Sequence, residues 1–256
     1  MPSAVPTPTL SSSLQRLGLH RIADDLNDLV ARATRERWGP LPFLEALVTA
    51  EVEDRARRGL ERRLKRARLG RFKPMADWEW EWPKSLPRPA LERALALDFI
   101  GRAENVIIVG AQGLGKTMLA KNLVHEAILA GHTALFTTAA DLLLDLNAQE
   151  TTRGLERRLR HYTRPALLAI DEIGYLSYDA HAADLLFQII TRRYEEKALV
   201  VTTNLIFKQW DNIFPNASCA VALIDRLTHH AEIIPIEGDS YRRRDAERAQ
   251  KRRRAS

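Results

Sequence analysis

The run Gly110-Ala111-Gln112-Gly113-Leu114-Gly115-Lys116-Thr117 carries the spacing G-x-x-x-x-G-K-[ST]. Glycines at those positions let the backbone turn its amide N–H groups inward, around the oxygens of a phosphate. The lysine of such a loop reaches the β- and γ-phosphates of a nucleotide, and the hydroxyl beside it ligates Mg²⁺. The binding set is Gly110, Gly113, Gly115, Lys116, Thr117 and the next residue, Met118. Downstream, the apolar run Ala166-Leu167-Leu168-Ala169-Ile170 ends in Asp171-Glu172. Carboxylates at the end of a buried strand stand where ligands bind in an open α/β sheet. Asp171 would hold the metal, directly or through water. Glu172 would polarise an attacking water as a general base, which argues for hydrolysis over transfer to a small molecule. Such a pair can also merely cap the next turn; its place downstream of the glycine-rich loop favours the chemical reading.

Three further groups bear on that chemistry. Val200-Val201-Thr202-Thr203 ends in Asn204, which could orient water near the γ-phosphate, with Thr202 and Thr203 as alternates, or could cap the helix that follows. Developing charge on a transferring phosphoryl group calls for a guanidinium, often from a neighbouring subunit. Arg226 is the candidate for that role in trans and Arg242 for a sensor in cis; the plainer readings are a local pair with Asp225 and membership of the basic tail. His229 and His230 are adjacent but lack Cys or carboxylate partners at ligand spacing, so a metal cage there is not expected. Cys219, the single cysteine, has no activating context and reads as a packed small residue.

These residues need elements to hold them. Val106 to Val109 is a β-branched run before the loop, and Met118 to Ala130 reads as the helix after it, closed by Gly131. Strands are expected at 133–137, 166–170, 199–203 and 232–236, and helices at 141–147, 156–162, 182–196, 207–212 and 217–229. The alternation implies an α/β fold, a parallel sheet covered on both faces. Ahead of it, Leu14, Leu17, Ile22, Leu26, Leu29, Val30 and Ala33 have helical spacing. A second helix starts near Pro42, with Phe43, Leu44, Leu47, Val48, Val52, Ala56, Leu60 and Leu64 as its apolar stripe. The resulting division is a disordered start at 1–13, a helical domain at 14–73, a connector at 74–90, an α/β domain at 91–240 and a basic tail at 241–256. The connector holds four prolines and Trp78-Glu79-Trp80-Glu81-Trp82; if extended, its three Trp share one face and pack on the next domain, or one stacks on a nucleotide base.

The chain has 256 residues, 45% hydrophobic and 28% charged, enough for a sizeable core and unlike collagenous or wholly disordered chains. No run of 18 apolar residues occurs and the start lacks a signal-peptide pattern, so no membrane segment is expected, and one cysteine fits a reducing, cytoplasmic setting. The net charge of +6 is uneven: both ends are basic and the middle is acidic. The sharpest block comprises Arg55, Arg57, Arg58, Arg62, Arg63, Lys65, Arg66, Arg68, Arg71 and Lys73, with Glu61 as its acid. Such a block attracts polyanions and releases counterions on meeting phosphates, although basic helix faces are also commonly just solvated.

Taken together, the motifs resemble the AAA+ ATPases and, more narrowly, the IstB-like family, helper ATPases of a group of bacterial insertion sequences related to DnaC-type helicase loaders. The resemblance spans roughly residues 14–245. It runs from Phe43 to Leu47 and the basic helix, through GAQGLGKTMLA (110–120), AIDEIGYL (169–176) and TTNLIFKQW (202–210), to DRLTHHAEIIPIEGDSYR (225–242). The family's loop usually reads GPPGTGKTHLA; Ala111, Gln112, Leu114 and Met118 differ here, while the phosphate-contacting Gly, Lys and Thr stand. The resemblance implies an AAA+ P-loop core preceded by a small all-helical domain. It implies ATP and Mg²⁺ as cofactors and a homo-oligomer with the nucleotide at the subunit interface. It further implies assembly on duplex DNA, which is bent, and delivery of a target site to a cognate transposase. Arg153 and Arg157, with Arg158 and Arg160, form a second candidate set of DNA phosphate contacts.

Other classes compete. A replicative helicase loader would share the core and differ in client. A small-molecule kinase would need a substrate lid, and the charge layout and Glu172 argue against it. A DNA-binding protein with a dead nucleotide site would not need Lys116, Thr117, Asp171 and Glu172 intact.

Overall fold

The computed structural model describes residues 9–80, 82–175, 177–214, 217–241 and 243–244. Residues 1–8, Arg242 and the tail from 245 lie outside the described residues, as does the side chain of Cys219. The chain divides into two compact units, residues 1–62 and 63–256.

The first unit is helical. α1 (Leu10–Arg16) starts inside the segment expected to be disordered, because the Thr9 side chain accepts from Ser12 N–H at 3.3 Å and caps it. The helix expected to run unbroken from Leu14 to Ala33 is interrupted at Gly18, whose φ of 74° breaks the turn, and resumes as α2 (His20–Arg35). α2 has no side-chain cap of its own. Its first amides, Arg21 N–H and Ile22 N–H, donate instead to Glu51 Oε2 at 2.8 and 3.2 Å. Glu51 sits on α3 (Pro40–Arg66) and is buried. Of the expected stripe on α3 only Leu47 is buried, while Leu44, Val48 and Val52 are exposed.

The second unit begins in the last turn of α3. Residues 67–73, read from the sequence as part of the helical domain, pair here instead: Ala67 C=O accepts from Phe136 N–H at 2.9 Å, and Lys73 C=O accepts from the Asn122 side chain at 2.9 Å. The connector is not an alternating strand. A 3₁₀ turn spans Met75–Asp77, and Trp82 N–H closes a turn on Glu79 C=O at 2.9 Å. The tryptophans therefore part: Trp78 is buried, and Trp80 is exposed beneath the Arg88 guanidinium.

Two short helices unforeseen in the sequence, α4 (Arg88–Leu95) and α5 (Asp98–Gly101), lead into β1 (Asn105–Gly110). Then follow α6 (Lys116–Leu129), β2 (Ala134–Thr138), α7 (Ala139–Asn147), α8 (Thr152–Thr163), β3 (Leu167–Ile173), α9 (Ala180–Arg193), β4 (Ala198–Thr203), α10 (Ala217–Thr228) and β5 (Ala231–Ile236). The five strands pair in parallel and the sheet order is β2-β3-β4-β1-β5. Successive strand residues point to opposite faces, and Val106, Ile107 and Ile108 are all fully buried, so both faces are covered. Helices start where polar residues cap them: Thr138 for α7, Thr151 for α8 and Asp179 for α9.

Arg193, at the end of α9, is fully buried and, among the described residues, has no carboxylate partner. Its guanidinium donates to the carbonyls of Tyr162, Thr163, Pro165, Ala166 and Ala198 at 2.6–3.2 Å, tying the α8–β3 loop to the start of β4. Burial pulls its pKa down to about 9, which leaves it protonated at neutral pH. Among the described residues no helix is long and apolar enough to cross a membrane.

Candidate functional site

The carboxyl ends of β1, β3 and β4 open into a cleft of about 670 Å³. Gly113, Gly115, Lys116, Thr117, Met118, Asp171, Glu172 and Asn204 all line it. Residues drawn from three separate strands thus meet at one place. The loop's shape depends on glycine at two positions. Gly113 has φ 80°, and a Cβ there would meet Ser240 Oγ at 2.1 Å. Gly115 has φ 93°, and a Cβ would lie 2.8 Å from the Trp78 ring. Gly110 closes β1, and its carbonyl and that of Ala111 accept from Lys116 Nζ at 2.7 and 2.8 Å. The lysine is held over the loop by groups that a phosphate would replace.

Across the cleft, Asp171 is buried at the end of β3. Thr202 Oγ1 on β4 donates to Asp171 Oδ1 and accepts from Glu172 N–H, the latter at 2.9 Å. The β3–β4 register shifts between Ile170 and Ile173, and Glu172 takes φ 64°, leaving its side chain exposed in the cleft. One carboxylate is thus sunk and oriented while the other faces solvent. A buried carboxylate and the Thr117 hydroxyl lining the same cleft are hard oxygen donors of the kind Mg²⁺ prefers. Asn204 does not cap the next helix: the 3₁₀ turn Phe207–Asn212 has Ile206 at its N-cap, and Asn204 lines the cleft instead.

Arg226 stands apart. It lies on α10, not among the cleft residues, with Nη1 donating to Ala222 C=O at 3.1 Å and its guanidinium 4.8 Å over the Phe187 ring. Among the described residues it makes no ion pair with Asp225.

The basic block splits up. Arg55 pairs with Glu51 at 3.0 Å, Arg57 with Asp54 and with Glu61 at 2.9 Å, and Arg58 with Asp54 at 2.6 Å. These three are therefore held by acids one helical turn away, two of which precede the block and escaped the local charge count. Arg71 and Lys73 line the cleft rather than an outer face, with Lys73 Nζ 5.4 Å over the Tyr241 ring. Arg62, Lys65, Arg66 and Arg68 are exposed and Arg63 is half-buried. On α8, Arg153 and Arg157 are exposed, while Arg158 pairs with Asp145 and Arg160 with Glu156. Trp78, Trp82 and Tyr241, from segments on either side of the core, also line the cleft; the sequence offered a base-stacking tryptophan as one of two readings of that run and missed Tyr241. Tyr241 N–H donates to Gly113 C=O at 2.8 Å, and its hydroxyl donates to Glu79 Oε1 at 3.1 Å. The tryptophan run was the available signal.

A parallel five-stranded sheet with this loop after its first strand and acids at the end of its third defines a P-loop core of the AAA+ class. The DnaI crystal structure superposes with a TM-score of 0.54 at 19% identity, covering 65% of this chain and 89% of that one. AMPPCP-bound DnaA from Aquifex aeolicus gives 0.50 at 22%, covering 58% and 44%. At these identities the likeness shows the fold. The family described as IstB-like ATP binding protein matches residues 12–249, and the chain belongs to that family. A protein of insertion sequence IS232 from Bacillus thuringiensis subsp. berliner, named as ATP-binding, is 34% identical over 92% of this chain and 94% of its own length. The corresponding protein of IS21 from Pseudomonas aeruginosa is 34% identical over 92% and 89%.

Proposed function

We propose that the protein is an ATP-hydrolysing helper of transposition that assembles on duplex DNA, bends it, and recruits and stimulates a partner transposase in the bacterial cytoplasm. The observation that carries the ATPase part is the single cleft in which Lys116 and Thr117 face Asp171 and Glu172. Lys116 and the loop amides would bind the phosphates, and Thr117 and Asp171 would hold Mg²⁺, which supplies charge neutralisation when bound. Glu172 would take the proton from the attacking water, with Asn204 orienting it. Arg226, outside the cleft of its own chain, suits a role at the cleft of a neighbouring copy, which would make hydrolysis depend on assembly. Family membership supports the transposition setting. The exposed Arg62, Lys65 and Arg66 support a DNA contact that reads backbone rather than bases.

Sizing tests the proposal. Mass photometry of the protein with ATP, with and without a duplex of about 50 base pairs at moderate salt, should show a large discrete complex that needs both. A monomer that binds ATP and ignores DNA would overturn the assembly and direct the search to a protein client such as a helicase.

A further inference from the structure

The sequence offers His229-His230 without a visible partner for metal binding, and the fold supplies one. Glu195, in the turn between α9 and β4, comes beside the turn between α10 and β5 that carries the two histidines. Glu195 Oε1 lies 3.8 Å from His229 Nδ1 and 3.6 Å from His230 Nε2, and one ligand atom from each of the three residues falls within 4.8 Å of the others. We propose that Glu195, His229 and His230 form a binding site for one divalent transition-metal ion of the zinc class, at the end of the sheet away from the nucleotide.

Three features support it. The donor set is two imidazoles and a carboxylate, which suits borderline ions such as Zn²⁺ and leaves a fourth position for water. Tetrahedral Zn²⁺ with bonds of about 2.0–2.2 Å sets its ligands roughly 3.4 Å apart; both Glu195–His separations are within a few tenths of an ångström of that, and rotation of the exposed imidazoles would close the remaining pair, which lies within 4.8 Å. The two turns are also fixed independently of any ion. The Asn105 side chain accepts from Leu199 N–H at 3.1 Å and donates to Leu227 C=O at 3.0 Å, bridging both neighbourhoods. Asn105 N–H donates to His230 C=O at 2.7 Å, and Arg193 C=O accepts from Glu196 N–H at 3.0 Å. The scaffold is thus rigid, and the ligands are rotamers on it. The Tyr194 hydroxyl, 2.6 Å from His229 Nδ1, is a fourth donor group at the same place that would either shift to the ion or orient the imidazole through a bound water. Occupancy would staple the end of α10, the helix that carries Arg226, to the α9–β4 turn.

The test is Zn²⁺ titration of the nucleotide-free full chain by calorimetry, with Co²⁺ visible spectra reporting coordination. The wild type should take up one ion, show tetrahedral Co²⁺ bands and melt higher with Zn²⁺. His230→Ala and Glu195→Gln should each weaken binding at least about tenfold and abolish the thermal shift, while His125→Ala keeps both. All three ligands are exposed, so circular dichroism should show the variants folded. No uptake by the wild type, equal uptake by every variant, or loss in His230→Ala with none in Glu195→Gln would each overturn the site.

Discussion

Thr202 serves two neighbours with one hydroxyl. It gives its proton to Asp171 and receives the amide proton of Glu172 at 2.9 Å. That second bond supports a left-handed backbone at Glu172, a conformation that costs a residue with a Cβ about 1–2 kcal/mol. The left-handed residue falls in the register shift at the end of β3, where Asp171 is buried and Glu172 faces the cleft. Thr202→Val keeps the shape and removes both bonds. We expect its ATP affinity to stay within a few-fold while single-turnover hydrolysis falls about 10–100-fold, the usual effect of losing a group that orients a ligand. Thr202→Ser should restore turnover. A valine variant as fast as the wild type would show that the hydroxyl positions nothing.

Among the elements, two polar side chains hold pieces that apolar packing alone leaves loose. Glu51 caps α2 from another helix. Burial pushes its carboxyl up, but hydrogen bonds from Arg55, Ile22 and Arg21 outweigh that and hold it below the ordinary range. A carboxyl depressed on folding gives stability that is complete above the unfolded value of 4.5 and is lost as pH falls through the folded one. Exchange protection at the Arg21 and Ile22 amides, corrected for intrinsic rates, should therefore collapse below that range. In Glu51→Gln it should be weak at neutral pH and flat with acid; a variant that keeps the wild-type acid response would assign the loss to another group. Arg193 plays the corresponding part in the core. Arg193→Leu leaves five carbonyls without their donor and should cost about 3 kcal/mol or more, a melting point lower by roughly 10 °C. An unchanged melting point would show that the clamp is redundant. Neither role was legible in the sequence, because each joins residues far apart in the chain, and an arginine at the end of an amphipathic helix reads as solvent-facing. The strands were legible because each is a short, largely apolar run, β-branched and buried on both faces in β1 and β4, and the loop, Asp171 and Glu172 because they sit at strand ends. The break at Gly18 and the course of the tryptophan segment depend on backbone turns that hydrophobic periodicity does not encode.

For the whole molecule the governing quantity is where positive charge remains after internal pairing. Ten basic residues stand between Arg55 and Lys73, yet Arg55, Arg57 and Arg58 are matched by Glu51, Asp54 and Glu61, and Arg71 and Lys73 face the nucleotide cleft. Under the proposed function, the residues this segment leaves for duplex DNA are Arg62, Arg63, Lys65, Arg66 and Arg68. Each phosphate contact releases condensed counterions and adds about 0.9 to the slope of log affinity against log salt. Replacing Arg62, Arg63, Lys65 and Arg66 with Gln should then lower the magnitude of that slope by about 3–4 per chain and weaken binding to all sequences alike. Replacing Arg55, Arg57 and Arg58 should lower it by less than about 1, because those charges are already neutralised on the protein. Fluorescence anisotropy of a labelled duplex over a salt series, with ATP present in every sample, separates the two sets. An equal loss from both would mean that the internal pairs open on DNA. No loss from either would move the DNA surface to another face, where the exposed Arg153 and Arg157 of α8 are the next residues to change.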